Sequence, residues 1–143
     1  MCWGRSQDGR AHIPESLKQT PFLSVDVGGD HNCGIHIDNT VSCWHYNGSL
    51  GPHPEPRQTR FLTVAAGGVH ACGIKTDHTA SCWGDTRHGQ SPIPDDLKQT
   101  IFLDVVSGFN HSCGIRINGL ITCWGDKEKE QTTLPTNQVK PGS

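Results

Sequence analysis

The sequence has few large apolar residues, few charges and no long hydrophobic run, and each shortage excludes something. Hydrophobic residues are 33% and charged residues 18% of the 143, with one Met and one Tyr. Leu, Ile, Val and Phe together number 29 of 143, close to the lower limit for burying a core. A net charge of −2 is too small to expand the chain, so a folded state remains the expectation. No apolar run approaches the ~18 residues of a membrane span. The N-terminal Met-Cys-Trp-Gly-Arg-Ser-Gln-Asp has no apolar segment of the signal-peptide kind. Basic clusters are absent, which argues against nucleic-acid binding. Instead the chain is rich in turn and cross-link residues: 17 Gly, 9 Pro, seven Cys and four Trp.

These residues recur. Phe22-Leu23-Ser24-Val25 returns as Phe61-Leu62-Thr63-Val64 and as Phe102-Leu103-Asp104-Val105. His31, His70 and His111 keep the same spacing, as do Cys33-Gly34-Ile35, Cys72-Gly73-Ile74 and Cys113-Gly114-Ile115. From Phe22 to Trp44 the three copies align without a gap, and ten of 23 positions are identical in all three. The segment from Cys2 to Pro21 aligns with Cys82 to Ile101 over 20 positions. The expected units are therefore 1–21 (the back half of a repeat), 22–60, 61–101, and 102–143 with a C-terminal tail, in one structural unit. On this reading the front half of the first repeat is missing, and a longer chain or another chain would supply it.

Each repeat reads as three short strands. Phe-Leu-x-Val is the first, His-x-Cys-Gly-Ile opens the second, and Cys-Trp ends the third. Asp38-Asn39, Asp77-His78 and Asn118-Gly119 mark the turns between the second and third. Cys33, Ile35 and Ile37 share one face of their strand, and Val41 and Cys43 one face of the next. These faces coincide only when the loop holds an odd number of residues. Cys33 then lies opposite Cys43, Cys72 opposite Cys82, and Cys113 opposite Cys123. Opposed Cβ atoms ~4.5–5.5 Å apart need only a small adjustment to reach disulfide geometry. Trp44, Trp83 and Trp124 point to the other face. A sheet that is apolar on both faces needs cover on both, which suits small sheets stacked as propeller blades.

The pattern resembles the repeats of the regulator-of-chromosome-condensation family, roughly V-x-x-G-x-x-H-x-C-x-I-x-x-D-G-x-x-x-C-W-G. Val64, Gly67, His70, Cys72, Ile74, Asp77, Cys82, Trp83 and Gly84 match it, as do Val105, Gly108, His111, Cys113, Ile115, Cys123, Trp124 and Gly125. The first copy departs after Trp44, where His45 replaces Gly. The resemblance implies an all-β fold: an incomplete β-propeller arc of three to four small antiparallel blades. The alternative is a β-trefoil, which also has three units of this length. The paired cysteines look like those of extracytosolic members, in bacterial secreted proteins and plant crinkly-type receptor ectodomains. The founding family's nucleotide-exchange activity is not carried over, because the chain has neither a basic tail nor a long insertion.

Several residues are candidate sites. Cys33, Cys43, Cys72, Cys82, Cys113 and Cys123 are expected as three disulfides, with six buried thiols as the alternative; Cys2 is left unpaired. His31 with Cys33 and Cys43 also offers three metal ligands, and the trio recurs twice. No acidic base recurs beside it, so His31, His70 and His111 are read as structural, and no metal is expected. Trp44, Trp83 and Trp124 are read as inter-blade fillers, and the Gly-Trp-Arg-His-Thr motif of plant UV-B photoreceptors is absent. Asn47 and Asn110 begin glycosylation sequons, Asn47 being the better candidate. No nucleophile elbow, phosphate loop or carboxylate pair appears, so no enzyme and no cofactor is expected. The reading is a non-enzymatic protein-interaction or scaffold module, part of a larger assembly, in an extracellular or other oxidising compartment. A protein partner or further copies would cover its open blade edges. The alternative is a carbohydrate-binding repeat protein, for which Tyr46 is the only linker tyrosine.

Overall fold

A computed structural model describes residues 13–45, 51, 53–54, 57–86 and 91–126. Among them, nine strands form three antiparallel sheets, accompanied by two single 3-10 turns at Glu15–Leu17 and Asp95–Leu97. Blade 1 is β1 (Phe22–Val27), β2 (His31–His36) and β3 (Val41–His45). Blade 2 is β4 (Phe61–Ala66), β5 (His70–Lys75) and β6 (Ala80–Gly84). Blade 3 is β7 (Phe102–Ser107), β8 (His111–Arg116) and β9 (Ile121–Gly125). Each sheet is a meander in chain order. The described strands pair only within their own sheet, so the trefoil alternative, which needs one barrel shared by all three units, is set aside.

The hairpin from β2 to β3 fixes the register. Its loop ends on a left-handed residue: Asn39 with φ 71°, His78 with φ 69° or Gly119 with φ 87°. Such a residue closes a three-residue hairpin loop. Asp38 Oδ1 accepts hydrogen bonds from the Thr40 N–H (3.0 Å) and hydroxyl (2.6 Å), and Asp77 does the same with Thr79. The result pairs Ile35 with Val41 and Cys33 with Cys43, and the other two blades repeat it.

The first strand of every blade contains a bulge. Phe22 pairs with His36, but Ser24 pairs with Ile35, so Leu23 is the extra residue. The same irregularity recurs after Phe61 and after Phe102. A bulge re-aims the residues on either side of it. Here it brings Phe22 and Val25 to the face that holds Gly34 and Trp44. The phenylalanine ring then lies on the strand glycine. A Cβ on Gly73 would sit 2.6 Å from Phe61 Cδ1, with 2.7 Å at Gly34 and 2.6 Å at Gly114. The tryptophan lies beside the ring, with Phe61 and Trp83 centroids 5.3 Å apart.

Each blade thus has two unlike faces, and the stack joins unlike to unlike. The cysteine face of blade 1 (Cys33, Ile35, Val41, Cys43) packs on Phe61, Ala66, Ala71 and Trp83 of blade 2. The cysteine face of blade 2 (Cys72, Ile74, Ala80, Cys82) packs on Phe102, Val105 and Trp124 of blade 3, together with linker residues Ile93 and Leu97. The core is therefore two joints between blades, not a single centre. Backbone bonds reinforce the stack. Phe61 N–H donates to Asn39 O and Phe102 N–H to His78 O, each at 2.8 Å.

Candidate functional site

The six repeat cysteines form Cys33–Cys43, Cys72–Cys82 and Cys113–Cys123. Each bond crosses one hairpin; the first two face the next blade, and Cys113–Cys123 lies on the exposed end face of blade 3. With both sulfurs in a disulfide, the His31, Cys33, Cys43 trio has no thiolate to offer a cation. No group of three or more potential ligands gathers among the described residues. Cys2 and Asn47 lie outside the described residues. Asn110 sits in the turn before β8, but Ser112 of its sequon is fully buried and hydrogen-bonded.

The three histidines open β2, β5 and β8 and form a column through the joints. Each ring of the second and third lies on its own blade's glycine: a Cβ on Gly67 would meet His70 Cε1 at 2.4 Å, and one on Gly108 would meet His111 Cε1 at 2.4 Å. His70 is fully buried and its Nε2 shares a 2.7 Å hydrogen bond with Ser112 Oγ of blade 3. Ser112 Oγ in turn lies 2.9 Å from Ser107 Oγ. In blade 2 the position of Ser112 is held by Ala71. His31 Nε2 is accordingly buried without a hydrogen-bond partner among the described residues.

Burial, and then the neighbouring His31 and His111, push the His70 pKa down to about 4. Burial, and then His45, push His31 down as well. Both rings stay neutral in the fold at a pH where an unfolded histidine takes up a proton. Their contribution to stability is complete above pH ~6.5 and is lost as the pH falls below it, for His70 down to about 4. Asp38 and Asp77, held low chiefly by their threonine hydrogen bonds, lose their contribution only below the ordinary carboxylate range. The urea midpoint is therefore expected to be flat above neutrality and to fall through the histidine window. His70→Gln is expected to make that slope shallower; an unchanged slope contradicts the assignment.

The described surface holds one further recurrence. Leu23, Leu62 and Leu103, the three bulge residues, are all exposed. The ends of the stack expose more. Blade 3 presents Val106, Ile115 and Ile121 around a shallow apolar cleft of about 160 Å³. Blade 1 presents Val25 and Val27, while Trp44 on the same face is buried. A second cleft of about 310 Å³, near His36, Ser42, His53 and Arg57, is more polar.

Sequence reasoning placed the cysteine pairs and the tryptophan face. It missed the phenylalanine-on-glycine contact and the His70–Ser112 bond. The three-fold recurrence of Phe with Cys-Gly-Ile is the signal for the first. Nothing marks the second, since Ser112 is Ala71 and Asn32 in the other copies.

The profile of the "Regulator of chromosome condensation (RCC1) repeat" matches residues 61–90 and 102–131. A search of curated protein sequences finds no match. Among solved structures, the chain is similar to the CRINKLY WD40 ectodomain of the Arabidopsis thaliana receptor kinase ACR4. The two share 32% identity at a TM-score of 0.67, over 87% of this chain and 42% of that one. It is also similar to the ectodomain of the Physcomitrella patens receptor kinase CR4 (29% identity, TM-score 0.60), over 74% of this chain and 30% of that one. Prp20p of Saccharomyces cerevisiae shares the fold alone, at 14% identity and a TM-score of 0.68, over 94% of this chain and 42% of that one. The chain thus spans less than half the length of each of these structures. No helix among the described residues is long and apolar enough to cross a membrane. Repeat matches, blade order and structural likeness agree: residues 61–90 and 102–131 are regulator-of-chromosome-condensation repeats, and the described chain folds as an incomplete arc of β-propeller blades.

Proposed function

We propose that the chain is a non-enzymatic protein-interaction or scaffold module that acts as part of a larger assembly, with repeats 22–60, 61–101 and 102–143 as its units. The observation that carries this reading is the exposure of the two end faces. Positions that are buried at the internal joints stand open there: Ile115 is 42% exposed where Ile35 and Ile74 are 1% and 0%. Apolar surface of this kind, in a chain with so few large apolar residues, marks an interaction site. Three disulfides and the likeness to receptor ectodomains support an extracellular or other oxidising compartment.

The test is site-specific photo-cross-linking of the natively produced protein. A photoreactive residue at Val25 or Ile121, one on each end face, is expected to give a discrete adduct of higher mass. The same residue at exposed Lys98 is the control. Adducts absent from both ends, or equal at all three positions, overturn the reading.

A further inference from the structure

The exposed parts of the two end faces are the two halves of one joint; on blade 1 that part is Val25 and Val27, since Trp44 is buried. Three positions show this most clearly. On the cysteine face, Ile35 and Ile74 are buried in joints and Ile115 is open; Val41 and Ala80 are buried, and Ile121 is 50% exposed. On the phenylalanine face, Val105 is 4% exposed in its joint, whereas its counterpart Val25 is 50% exposed. The linker that joins the second joint also has its counterpart at the open end. Leu97 in that joint corresponds to Leu17, which is buried ahead of blade 1.

The backbone repeats the same complementarity. At the first joint Gly29 N–H donates to Gly67 O at 2.9 Å and Asp30 N–H to Gly68 O at 3.0 Å. At the second, Gly68 N–H donates to Gly108 O at 3.2 Å and Phe109 O at 3.1 Å. By the register common to both joints, Phe109 N–H holds the donor position at the blade 3 end. Gly28 O and Gly29 O hold the acceptor positions at the blade 1 end. The chain thus carries a donor end and an acceptor end of a contact it already makes twice within itself.

We propose that the open cysteine face of blade 3 docks on the open phenylalanine face of blade 1 of a second copy of this chain, head to tail. The proposal rests on the interaction-module reading and names the partner for it. A second copy fits because the docking continues an interface already realised twice, with the same residue types at each position. A head-to-tail contact made twice closes a two-copy ring if the rotation allows, and otherwise runs on as a filament.

Sedimentation of the oxidised 143-residue chain at micromolar concentration tests this. The expected species is at least twice 15.6 kDa. Val25→Asp and Ile115→Asp each place a charge on one end only and are expected to weaken self-association by roughly ten-fold or more. Both sites are exposed, and circular dichroism together with intact disulfides confirms that each variant is folded. Mixed together, the two variants retain one intact joint, so a one-to-one heterodimer is expected that neither forms alone. A monomeric wild-type chain overturns the proposal. So does a dimer that survives Val25→Asp, since that result means blade 3 faces meet each other. If the cross-links from Val25 and Ile121 lead to a different polypeptide, the second copy is wrong while the interaction reading stands.

Discussion

Replacing Cys72 and Cys82 together by alanine is expected to lower the unfolding free energy by about 3–4 kcal/mol. The chain-entropy term for so short a loop is about 3 kcal/mol, and the buried sulfurs add a packing loss. The Cys113→Ala, Cys123→Ala pair is expected to cost less, about 2–3 kcal/mol. The two bonds span equal loops, with a sequence separation of 10 in each. They differ in their surroundings: Cys72 is fully buried in the second joint, while Cys113 is only half-buried at the open end. Urea unfolding with a constant slope separates the two values. Limiting reductant provides an independent check. Thiolate attack needs access, so Cys113–Cys123 is expected to open first and Cys72–Cys82 later. Equal rates contradict the burial of the second bond between blades. Since small domains have a net stability of about 5–15 kcal/mol, removing all three bonds is expected to leave the chain unfolded or loosely packed.

Phe61→Ala is expected to cost about 3–5 kcal/mol, the ordinary loss for a large aromatic side chain removed from a core. Its ring fills the space over Gly73, lies beside Trp83, and packs against the Cys33–Cys43 disulfide and Ile35 of the preceding blade. Gly73 has no side chain and Ala71 and Ala66 are short, so these neighbours leave the void largely unfilled. Phe22 occupies the same place in blade 1, but Val25 and Val27 on that face are exposed and Phe22 is half-buried. Phe22→Ala is expected to cost less than half as much in the same urea titration. Equal losses at the two positions would mean that the face of blade 1 is covered as fully as the internal ones.

Why some of this was legible in the sequence, and some not, follows from the forces involved. The pairing of Cys33 with Cys43 depends on strand parity and an odd loop, and both are written in the chain. Asp38-Asn39 and its counterparts specify a turn, and alternation then fixes which side chains share a face. The opposite orientation of Trp44 follows from the same parity.

The bulge at Leu23 was not legible. Phe22-Leu23-Ser24-Val25 reads as a plain apolar strand, and no local signal says that one residue is extra. The bulge is fixed by the fit of the phenylalanine ring onto a glycine one strand away, which is a tertiary contact. The order of stacking was likewise hidden. Alternation shows that both faces of a blade are apolar, but not that a cysteine face prefers a phenylalanine face. That preference comes from shape: flat rings and small residues on one side, sulfur and β-branched side chains on the other. The column of histidines was seen as a recurrence. The shift in His70 was not, because it arises from burial and from neighbouring rings that belong to other blades.

The central claim is a stack of hairpin-bonded blades in which the disulfides of blades 1 and 2 face the following blade. Peptide mapping of the natively isolated protein, digested without reduction, tests it most directly. The expected result is three linked peptide pairs, Cys33 with Cys43, Cys72 with Cys82 and Cys113 with Cys123, and no alkylation of these six before reduction. A bond between blades, such as Cys43 with Cys72, or six free thiols, would contradict the register on which the joints, the histidine column and the complementary ends all depend.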